Sequence, residues 1–348
     1  MSVHQLEAAT AEASTIVIET GAALDLATLL PSRDSRRRVA LVTQPPVGRL
    51  AADVADGLRG AGLDVVAKEL PDRDEAKTLS VVEHVCAWMG DHGLGRRDTI
   101  VAVGGGALTD AAGFAASFYL RGIEAVYVPT TLLGAVDASI GGKTAVNVGG
   151  KNLAGTFHHP ALVVIDPGVL ARLPAPLLVE GAAEALKTGL VGDAELVALY
   201  ETHGLDAPID EVIERAVAVK VAVVGADYRE GSRREILNYG HTIGHAVETA
   251  AGIPHGHAVA IGMVAAGAVA ETSGFAGADR QRAVIEDLGL PTAISGLEPD
   301  LVRALVAKDK KRGPEGTRMV ILEDIALPKV TNVSDATVTA ALAAVGIG

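Results

Sequence analysis

The sequence predicts a two-domain protein with an α/β N-terminal Rossmann-like domain and an all-α C-terminal domain. Two observations support this prediction. Its 348 residues make about two domains by the usual relation of length to domain number. Short β-branched runs alternate with amphipathic stretches in the first half, whereas Gly- and Pro-broken helical patterns fill the second. We therefore expect domains at 1–168 and 169–348.

The N-terminal domain is expected to alternate strands with helices. Apolar, β-branched runs predict strands at 36–44, 64–70, 98–106 and 124–133. Helical spacing predicts a helix at 47–63, an amphipathic pattern predicts one at 77–94, and a third is expected at 107–120 after the glycine-ended strand. Strands separated by helices indicate a parallel sheet covered by helices on both faces.

The pattern changes after residues 166–174. The segments that follow are typical of helices rich in Ala and Gly, which permit close helix packing. The stretch RMVILEDIALPKV (318–330) is expected to add a short hairpin.

Composition excludes several classes of protein. A hydrophobic content of 49% with 21% charged residues excludes a disordered chain. No apolar run approaches the ~20 residues of a membrane span. The N-terminus lacks a signal pattern, and the single Cys86 permits neither an internal disulfide nor a Cys-rich zinc site. A soluble cytoplasmic protein is expected.

The net charge of −13 disfavours nucleic acid and anionic membranes as partners. An anionic small-molecule substrate would need a local cluster of Lys and Arg set against this overall charge.

Two glycine-rich stretches are candidate anion sites. VAVGGGALTDAAG (101–113) predicts a strand, a glycine turn and a helix, which fits a nucleotide site or an ordinary tight turn equally well. GGKTAVNVGGKNLAG (141–155) is not a P-loop, because no G-x-x-x-x-G-K-[ST] string is present. Its lysines indicate either a solvated loop or, more favourably, a cradle for an anion.

A polar constellation marks the second half. REILNYGHTIGH (234–245) spaces Arg234, Asn238, His241 and His245 at steps of 4, 3 and 4, which predicts one stripe on a helix. PHGH (254–257) adds two histidines, and Glu184 shares a predicted helix face with Lys187. One carboxylate and two imidazoles with an open coordination position are typical of a catalytic zinc site.

At this point the sequence resembles the 3-dehydroquinate synthases, within the wider sugar phosphate cyclase family. The resemblance spans about residues 70–312 and implies an NAD-binding domain, a helical metal-binding domain and an active site between them. It is carried by the segments GGGALTDAAGF, RGIEAVYVPTTLLGAVDASIGGKTAVN, GKNLAG, EGAAEALKTGL, REILNYGHTIGHAVE, HGHAVAIGM and KDKK.

The resemblance implies roles for individual residues. The metal ligands would be Glu184, His241 and His255, with His257 as the competitor of His255. The implied catalytic residues are His245, Lys143, Lys187, Asn238 and Arg234. The implied substrate-binding residues are Arg121, Asn152, Lys220 and Lys310, of which Arg121 would reach the substrate of a partner subunit in a homodimer. The implied cofactor-binding residues are Asp74, Lys77, Gly105, Gly106, Asp110, Thr130, Thr131, Asp137, Lys143 and Lys151.

The implied activity converts 3-deoxy-arabino-heptulosonate 7-phosphate to 3-dehydroquinate and phosphate. It requires NAD and a divalent metal, for which the nitrogen and oxygen ligands favour Zn²⁺ and also fit Co²⁺. The alternatives are aminodehydroquinate synthase or another sugar phosphate cyclase, a metal-dependent polyol dehydrogenase, and a non-catalytic binding protein. Three departures from the family pattern stand out: Gln44 at an acidic or Asn position, His257 at a glutamate position, and a loop one residue shorter between Asn147 and Lys151.

Overall fold

The computed structural model of the chain describes residues 1–7, 13–31, 38–308, 312–313 and 316–348. The described chain forms two compact units. The first comprises Met1–Leu173 with Lys220–Tyr228, and the second comprises Pro174–Val219 with Arg229–Gly348. The sequence-based boundary after residue 168 stays a prediction.

The first unit contains a seven-stranded sheet in the order β1-β2-β9-β6-β5-β3-β4. All neighbouring strands are parallel except β1 and β2, which pair antiparallel. The predicted parallel sheet is therefore confirmed. The strands of this sheet and of a separate hairpin, β7–β8, are β1 (Ser2–Glu7), β2 (Ala13–Ile18), β3 (Arg38–Thr43), β4 (Asp64–Glu69), β5 (Thr99–Gly104), β6 (Glu124–Pro129), β7 (Lys143–Val146), β8 (Ala154–Phe157) and β9 (Leu162–Ile165).

Helices connect these strands and bury their apolar faces against the sheet. The amphipathic α2 buries Val54 and Leu58 in the same cluster as Val101 of β5 and Val126 of β6. Burial of such side chains stabilises the unit by about 1.5–3 kcal/mol each. The helices of this unit are α1 (Leu26–Leu29), α2 (Gly48–Gly60), α3 (Leu79–Asp91), α4 (Gly106–Phe118) and α5 (Pro167–Leu170).

The strand order reverses at β3, since β4 lies on one side of it and β5 on the other. In parallel α/β sheets, ligands bind beyond the carboxyl ends of the strands at such a switch point. The segments that follow β3 and β5 are therefore the expected place for a ligand in this unit.

The second unit is mainly helical. It also has a three-stranded antiparallel sheet, and the hairpin expected from the sequence is its β11–β12 pair. No helix among the described residues has both the length and the apolar character needed to cross a membrane. The remaining elements are α6 (Ala175–Gly192), α7 (Ala194–His203), α8 (Ile209–Ala226), α9 (His241–Ala251), α10 (His255–Glu271), α11 (Ala278–Asp287), α12 (Pro299–Lys308), β10 (Arg312–Gly313), β11 (Gly316–Asp324), β12 (Leu327–Val333) and α13 (Asp335–Ala344), and α8 contributes its residues from Lys220 onward to the first unit.

Glycines bring the backbones of three helices in this unit together. A β-carbon at Gly262 of α10 would overlap the carbonyl oxygen of Gly240 and lie 2.7 Å from the backbone nitrogen of Gly244 in α9. A β-carbon at Gly256 would overlap the carbonyl oxygen of Glu180 in α6. The expected close packing of Gly-rich helices is confirmed, and it joins α6, α9 and α10.

A matched pair of glycines tests how tightly the first unit is packed. A β-carbon at Gly113 in α4 would overlap the hydroxyl oxygen of Tyr127 and lie 2.5 Å from Cγ2 of Thr144. Because Tyr127 is buried, Gly113→Ala should destabilise the protein by about 1–3 kcal/mol through overpacking. The measurement is the melting temperature or the midpoint of urea unfolding.

Gly60 is the control, because it ends α2 and a β-carbon there meets no atom within 4 Å. Gly60→Ala should leave stability unchanged or raise it by up to about 1 kcal/mol. Equal melting temperatures for the two variants would contradict the packing described around Tyr127.

Candidate active site and metal centre

The glycine turn lies at the switch point of the sheet. β5 ends at Gly104, Gly105 is the N-cap of α4, and Gly106 is the first residue of that helix. A β-carbon at Gly106 would lie 2.9 Å from Cβ of Ala138, and one at Gly105 would lie 3.3 Å from Cγ2 of Thr131. No side chain of the described residues caps α4. The turn fits the pyrophosphate of a dinucleotide, because an uncapped helix N-terminus offers N–H donors and positive partial charge.

Gln44, the residue after β3, is tied to this turn. Its side chain is buried, its Oε1 accepts the backbone N–H of Gly105 at 3.3 Å, and its Nε2 donates to the carbonyl of Pro71 at 3.3 Å. The amide therefore links the glycine turn to the segment after β4. A carboxylate, one of the two residue types expected here alongside Asn, could make the first contact but could not donate the second.

The residues predicted to bind a cofactor gather at the carboxyl edge of the sheet. Gly105 and Gly106 follow β5, and Thr130, Thr131 and Asp137 follow β6. The backbone N–H of Thr130 donates to the carbonyl of Gly104 at 3.0 Å, so the two connections are joined directly.

A buried ion pair extends this edge. Nζ of Lys77 lies 2.5 Å from Oδ2 of Asp110, and Asp74 lies in the short 3-10 turn just before Lys77. Lys220 pairs in the same way with Asp137. Burial raises the pKa of Asp110, and Asp137 and Asp74 raise it further, while Lys77 lowers it without cancelling the net rise.

The β7–β8 hairpin carries three residues that were predicted to bind anions. Lys143 begins β7, whereas Lys151 and Asn152 lie in the loop that joins the two strands. Asn152 has a φ of +56°, and its backbone N–H donates to Oδ1 of Asn147 at 3.0 Å. All three side chains are exposed.

Arg121 lies far from the glycine turn. It is exposed in the 3-10 turn after α4, whereas the glycine turn precedes that helix. The 13 residues of α4 span roughly 20 Å at 1.5 Å per residue. Arg121 therefore cannot reach a ligand at the glycine turn of its own chain.

In the second unit, the packed helices bring a carboxylate and two imidazoles together. Glu184 of α6 is fully buried, and its Oε1 lies 3.3 Å from Nε2 of His241 and 3.2 Å from Nε2 of His255. His241 and His255 are the first residues of α9 and α10. Adjacent ligands of a tetrahedral zinc ion lie roughly 3.4 Å apart when each bond is about 2.1 Å. The spacing and the donor set both fit a zinc-type ion.

A hydrogen bond on the far side of the His241 ring also favours metal binding through Nε2. Nδ1 of His241 lies 3.0 Å from the backbone carbonyl of Tyr239, which can only accept a hydrogen bond. Nδ1 of His241 is therefore protonated, and in the neutral ring Nε2 carries the lone pair that a metal needs.

Charge balance at Glu184 depends on its neighbours. Burial alone would raise the pKa of this carboxyl, but Lys187, His241 and His255 together hold it well below its usual range. Nζ of Lys187, which is equally buried, lies 2.7 Å from Oε2. The predicted shared face of Glu184 and Lys187 is confirmed. For His255, burial lowers the pKa, but its contacts with Glu184 and Glu248 raise it to about 9.

The predicted helical stripe of four polar residues is wrong. Arg234 and Asn238 lie in a 3-10 turn, Arg233–Asn238, and α9 begins only at His241. Between them Gly240 has a φ of +77°, which ends any continuous helix. His241 and His245 do share α9, with ring centroids 5.0 Å apart.

Two carboxylates near this site were not anticipated. Oε1 of Glu230 accepts from Nδ2 of Asn238 at 2.8 Å. Oε2 of Glu248 lies 3.1 Å from Nδ1 of His255. Glu248 could have been found from the sequence, since it follows His245 by three residues and so shares its helix face. Nothing in the local pattern around Glu230 points to its contact.

The competition between His255 and His257 favours His255. Within the described residues, the groups whose ligand atoms could share one metal ion include His255 but not His257. Lys310, which was predicted to contact substrate, lies outside the described residues.

Known proteins are similar to this chain over most of its length. Family models described as 3-dehydroquinate synthase N-terminal and C-terminal match residues 67–180 and 181–312. A 3-dehydroquinate synthase of Thermobifida fusca (strain YX) is 42% identical over 327 residues, which cover 90% of this chain and 88% of that protein.

The solved structures that are similar over nearly the whole chain include two synthases with bound cofactors. A 2-epi-5-epi-valiolone synthase from Streptomyces hygroscopicus subsp. jinggangensis 5008 with bound NAD⁺ and Zn²⁺ has a TM-score of 0.85 and 32% identity, covering 95% of this chain and 96% of that one. A 2-deoxy-scyllo-inosose synthase complexed with carbaglucose-6-phosphate, NAD⁺ and Co²⁺ has a TM-score of 0.88 and 26% identity, covering 98% and 99%.

Metal analysis of histidine variants tests the assignment of the ligands. His255→Ala should reduce bound zinc to background, because it removes one of the three groups that converge on the site. His257→Ala, two residues along the same helix, is the matched control and should keep the zinc content of the unaltered protein. Elemental analysis of the purified proteins is the measurement, and the reverse pattern would make His257 the ligand.

Proposed function

We propose, because the chain belongs to the 3-dehydroquinate synthase family, that it converts 3-deoxy-arabino-heptulosonate 7-phosphate to 3-dehydroquinate and phosphate in the shikimate pathway. In this carbon–oxygen lyase reaction, transient oxidation of the carbon-5 hydroxyl acidifies carbon 6. Phosphate then leaves by elimination and the carbon-5 ketone is reduced again. The hemiketal ring opens, and an intramolecular aldol step closes the carbocycle. No NADH accumulates over a full cycle.

The cofactors of this proposal are NAD⁺ and one divalent metal ion, Zn²⁺ or Co²⁺. The glycine turn with the uncapped N-terminus of α4 would hold the pyrophosphate of NAD⁺. Glu184, His241 and His255 would hold the metal. Structural neighbours that contain NAD⁺ with Zn²⁺ or Co²⁺ support both assignments.

The burial of a lysine and an arginine in an acidic protein is the observation that most supports an anionic substrate. Lys187 is 1% exposed and Arg234 is 2% exposed, although the net charge of the chain is −13. Burying a charge is costly unless it is paired. Lys187 lies beside a metal ligand, where a substrate carboxylate or phosphate would be a favourable further partner.

Each cofactor and each site residue has a separate role in the proposed reaction. When bound, NAD⁺ would accept and return a hydride, and the metal would supply Lewis acidity at the hydroxyl that is oxidised. His245 would accept the proton of that hydroxyl, which its position beside His241 favours. Lys187, Asn238 and Arg234 would orient the substrate, and the substrate's own phosphate would take the carbon-6 proton. Further substrate contacts would come from Lys143, Asn152, Lys220 and Lys310.

We also propose a cytoplasmic homodimer in which Arg121 reaches the substrate phosphate of the partner subunit. Its position at the far end of α4 from the glycine turn supports a role outside its own chain. Exposed apolar side chains flank it, since Phe118 is 68% and Leu120 39% exposed.

A sibling cyclase is the second candidate, favoured by the 32% identity with a 2-epi-5-epi-valiolone synthase. Aminodehydroquinate synthase is a further alternative. The higher identity with 3-dehydroquinate synthases favours the first proposal. A polyol dehydrogenase, whose substrate carries no phosphate, would not need the anion-binding lysines proposed here.

Turnover stoichiometry tests the proposed function. Each heptulosonate phosphate consumed should release one phosphate, with no net absorbance gain from NADH, because the reaction restores NAD⁺. Omitting NAD⁺ or adding a metal chelator should stop phosphate release. NADH accumulation without phosphate release would identify a dehydrogenase, and turnover of the aminated or non-carboxylated analogue alone would identify a sibling cyclase.

Removal of Lys143 tests its proposed contact with a substrate anion. A charge-assisted hydrogen bond is worth about 1.5–3 kcal/mol. Lys143→Ala should therefore lower kcat/KM roughly ten- to a hundredfold. Lys329→Ala is the control, since Lys329 is an exposed lysine paired with Glu323 in the second unit. Steady-state phosphate release is the measurement. Equal kcat/KM values for the two variants would show that Lys143 does not contact a substrate anion.

A further inference from the structure

His255 is held from both sides. Its Nε2 lies 3.2 Å from Oε1 of Glu184, and its Nδ1 lies 3.1 Å from Oε2 of Glu248. Only the first of these carboxylates belongs to the set that the family resemblance implied. The second contact therefore needs its own explanation.

The local chain path makes the second contact. Glu248 lies in the last turn of α9, and its carbonyl accepts the backbone N–H of Gly252 at 2.9 Å. Gly252 has a φ of +66°, which closes α9 and turns the chain back. α10 then starts at His255, with Pro254 as its N-cap. The side chain of Glu248 thus reaches a residue only seven positions ahead of it.

In both histidines, Nδ1 faces a hydrogen-bond acceptor and Nε2 faces Glu184. His241 directs Nδ1 toward the carbonyl of Tyr239, and His255 directs Nδ1 toward the carboxylate of Glu248. Each arrangement leaves Nε2 facing Glu184. Metal-binding histidines generally donate their other ring N–H to a carboxylate or carbonyl, which fixes the tautomer and the ring orientation.

We propose that Glu248 is a positioning residue, which accepts the Nδ1–H of His255 and so directs the Nε2 lone pair of that ring toward the metal ion. This inference rests on the metal centre of the proposed function, but it does not depend on the identity of the substrate.

The competing interpretation makes Glu248 a metal ligand. Ligand atoms of His245, Glu248 and His255 also lie within 4.8 Å of one another. The first set is favoured because Glu184 is fully buried, whereas the Glu248 side chain is 13% exposed. A fully buried carboxylate needs a cation beside it more strongly than a partly hydrated one does.

The test compares Glu248→Ala and Glu248→Gln with Glu271→Gln. Glu271 is the matched control, because it is an exposed acid at the far end of α10, roughly 24 Å along the helix from His255. Zinc affinity is measured on the metal-free, full-length protein by competition with a chelator. The melting temperature of each metal-free variant shows whether it has folded.

Glu248→Ala should weaken zinc binding roughly ten- to a hundredfold. Glu248→Gln should weaken it less than about tenfold, since the amide oxygen can still accept the Nδ1–H. The control should bind as the unaltered protein does, and all metal-free melting temperatures should agree. Zinc affinity of Glu248→Ala equal to that of the control would overturn the proposal.

Cobalt spectra separate positioning from ligation and remain decisive if Glu248→Ala does not fold. In Glu248→Gln the visible absorption bands of bound Co²⁺ should keep their positions, because the ligand set is unchanged, while Co²⁺ dissociates faster. Displaced bands, or loss of metal as complete as in Glu184→Ala, would make Glu248 a ligand and overturn the proposal. Phosphate release is a separate measurement, so failure of the proposed function would be recognised independently.

Discussion

The second unit depends on one constraint, the need to balance a carboxylate in the interior. Glu184 is fully buried, so it must have cationic partners close by. Lys187 from the same helix supplies a cation at one carboxylate oxygen, and two imidazoles from neighbouring helices contact the other oxygen. Their approach requires α6, α9 and α10 to pack almost backbone to backbone, which the glycines at 256 and 262 permit. The abundance of Gly and Ala in this half of the chain thus permits the packing that brings these side chains together.

In the first unit the corresponding constraint is topological. The reversal of strand order between β3 and β5 leaves their carboxyl ends open to a ligand. The glycine turn lies at that point and begins a helix with an uncapped N-terminus. Gln44 secures the turn from the neighbouring strand end through the backbone N–H of Gly105. The departure from the acidic or Asn pattern at this position therefore coincides with a structural link between the turn and Pro71.

The sequence predicted several helices and strands well, because the residue patterns that indicate them are local. Strand β5 and helix α4 follow directly from an apolar run, a glycine turn and an Ala-rich helical segment. The metal ligand set was implied by the family resemblance, since spacing alone left His255 and His257 open. Spacing failed at Arg234 and Asn238, because it assumes a continuous helix, and the left-handed backbone at Gly240 interrupts it. Contacts such as Asn238 with Glu230, and Gln44 with Gly105, depend on tertiary packing that no periodicity encodes.

The central claim is that Glu184, His241 and His255 together hold one divalent metal ion. Anomalous diffraction at the zinc absorption edge, from crystals of the zinc-loaded protein, tests this most directly. We expect a single strong peak at about 2.0–2.2 Å from a carboxylate oxygen of Glu184 and from Nε2 of His241 and of His255. A peak at bonding distance from Nδ1 of His255 and from Glu248 instead, or no peak among these side chains, would contradict this ligand set.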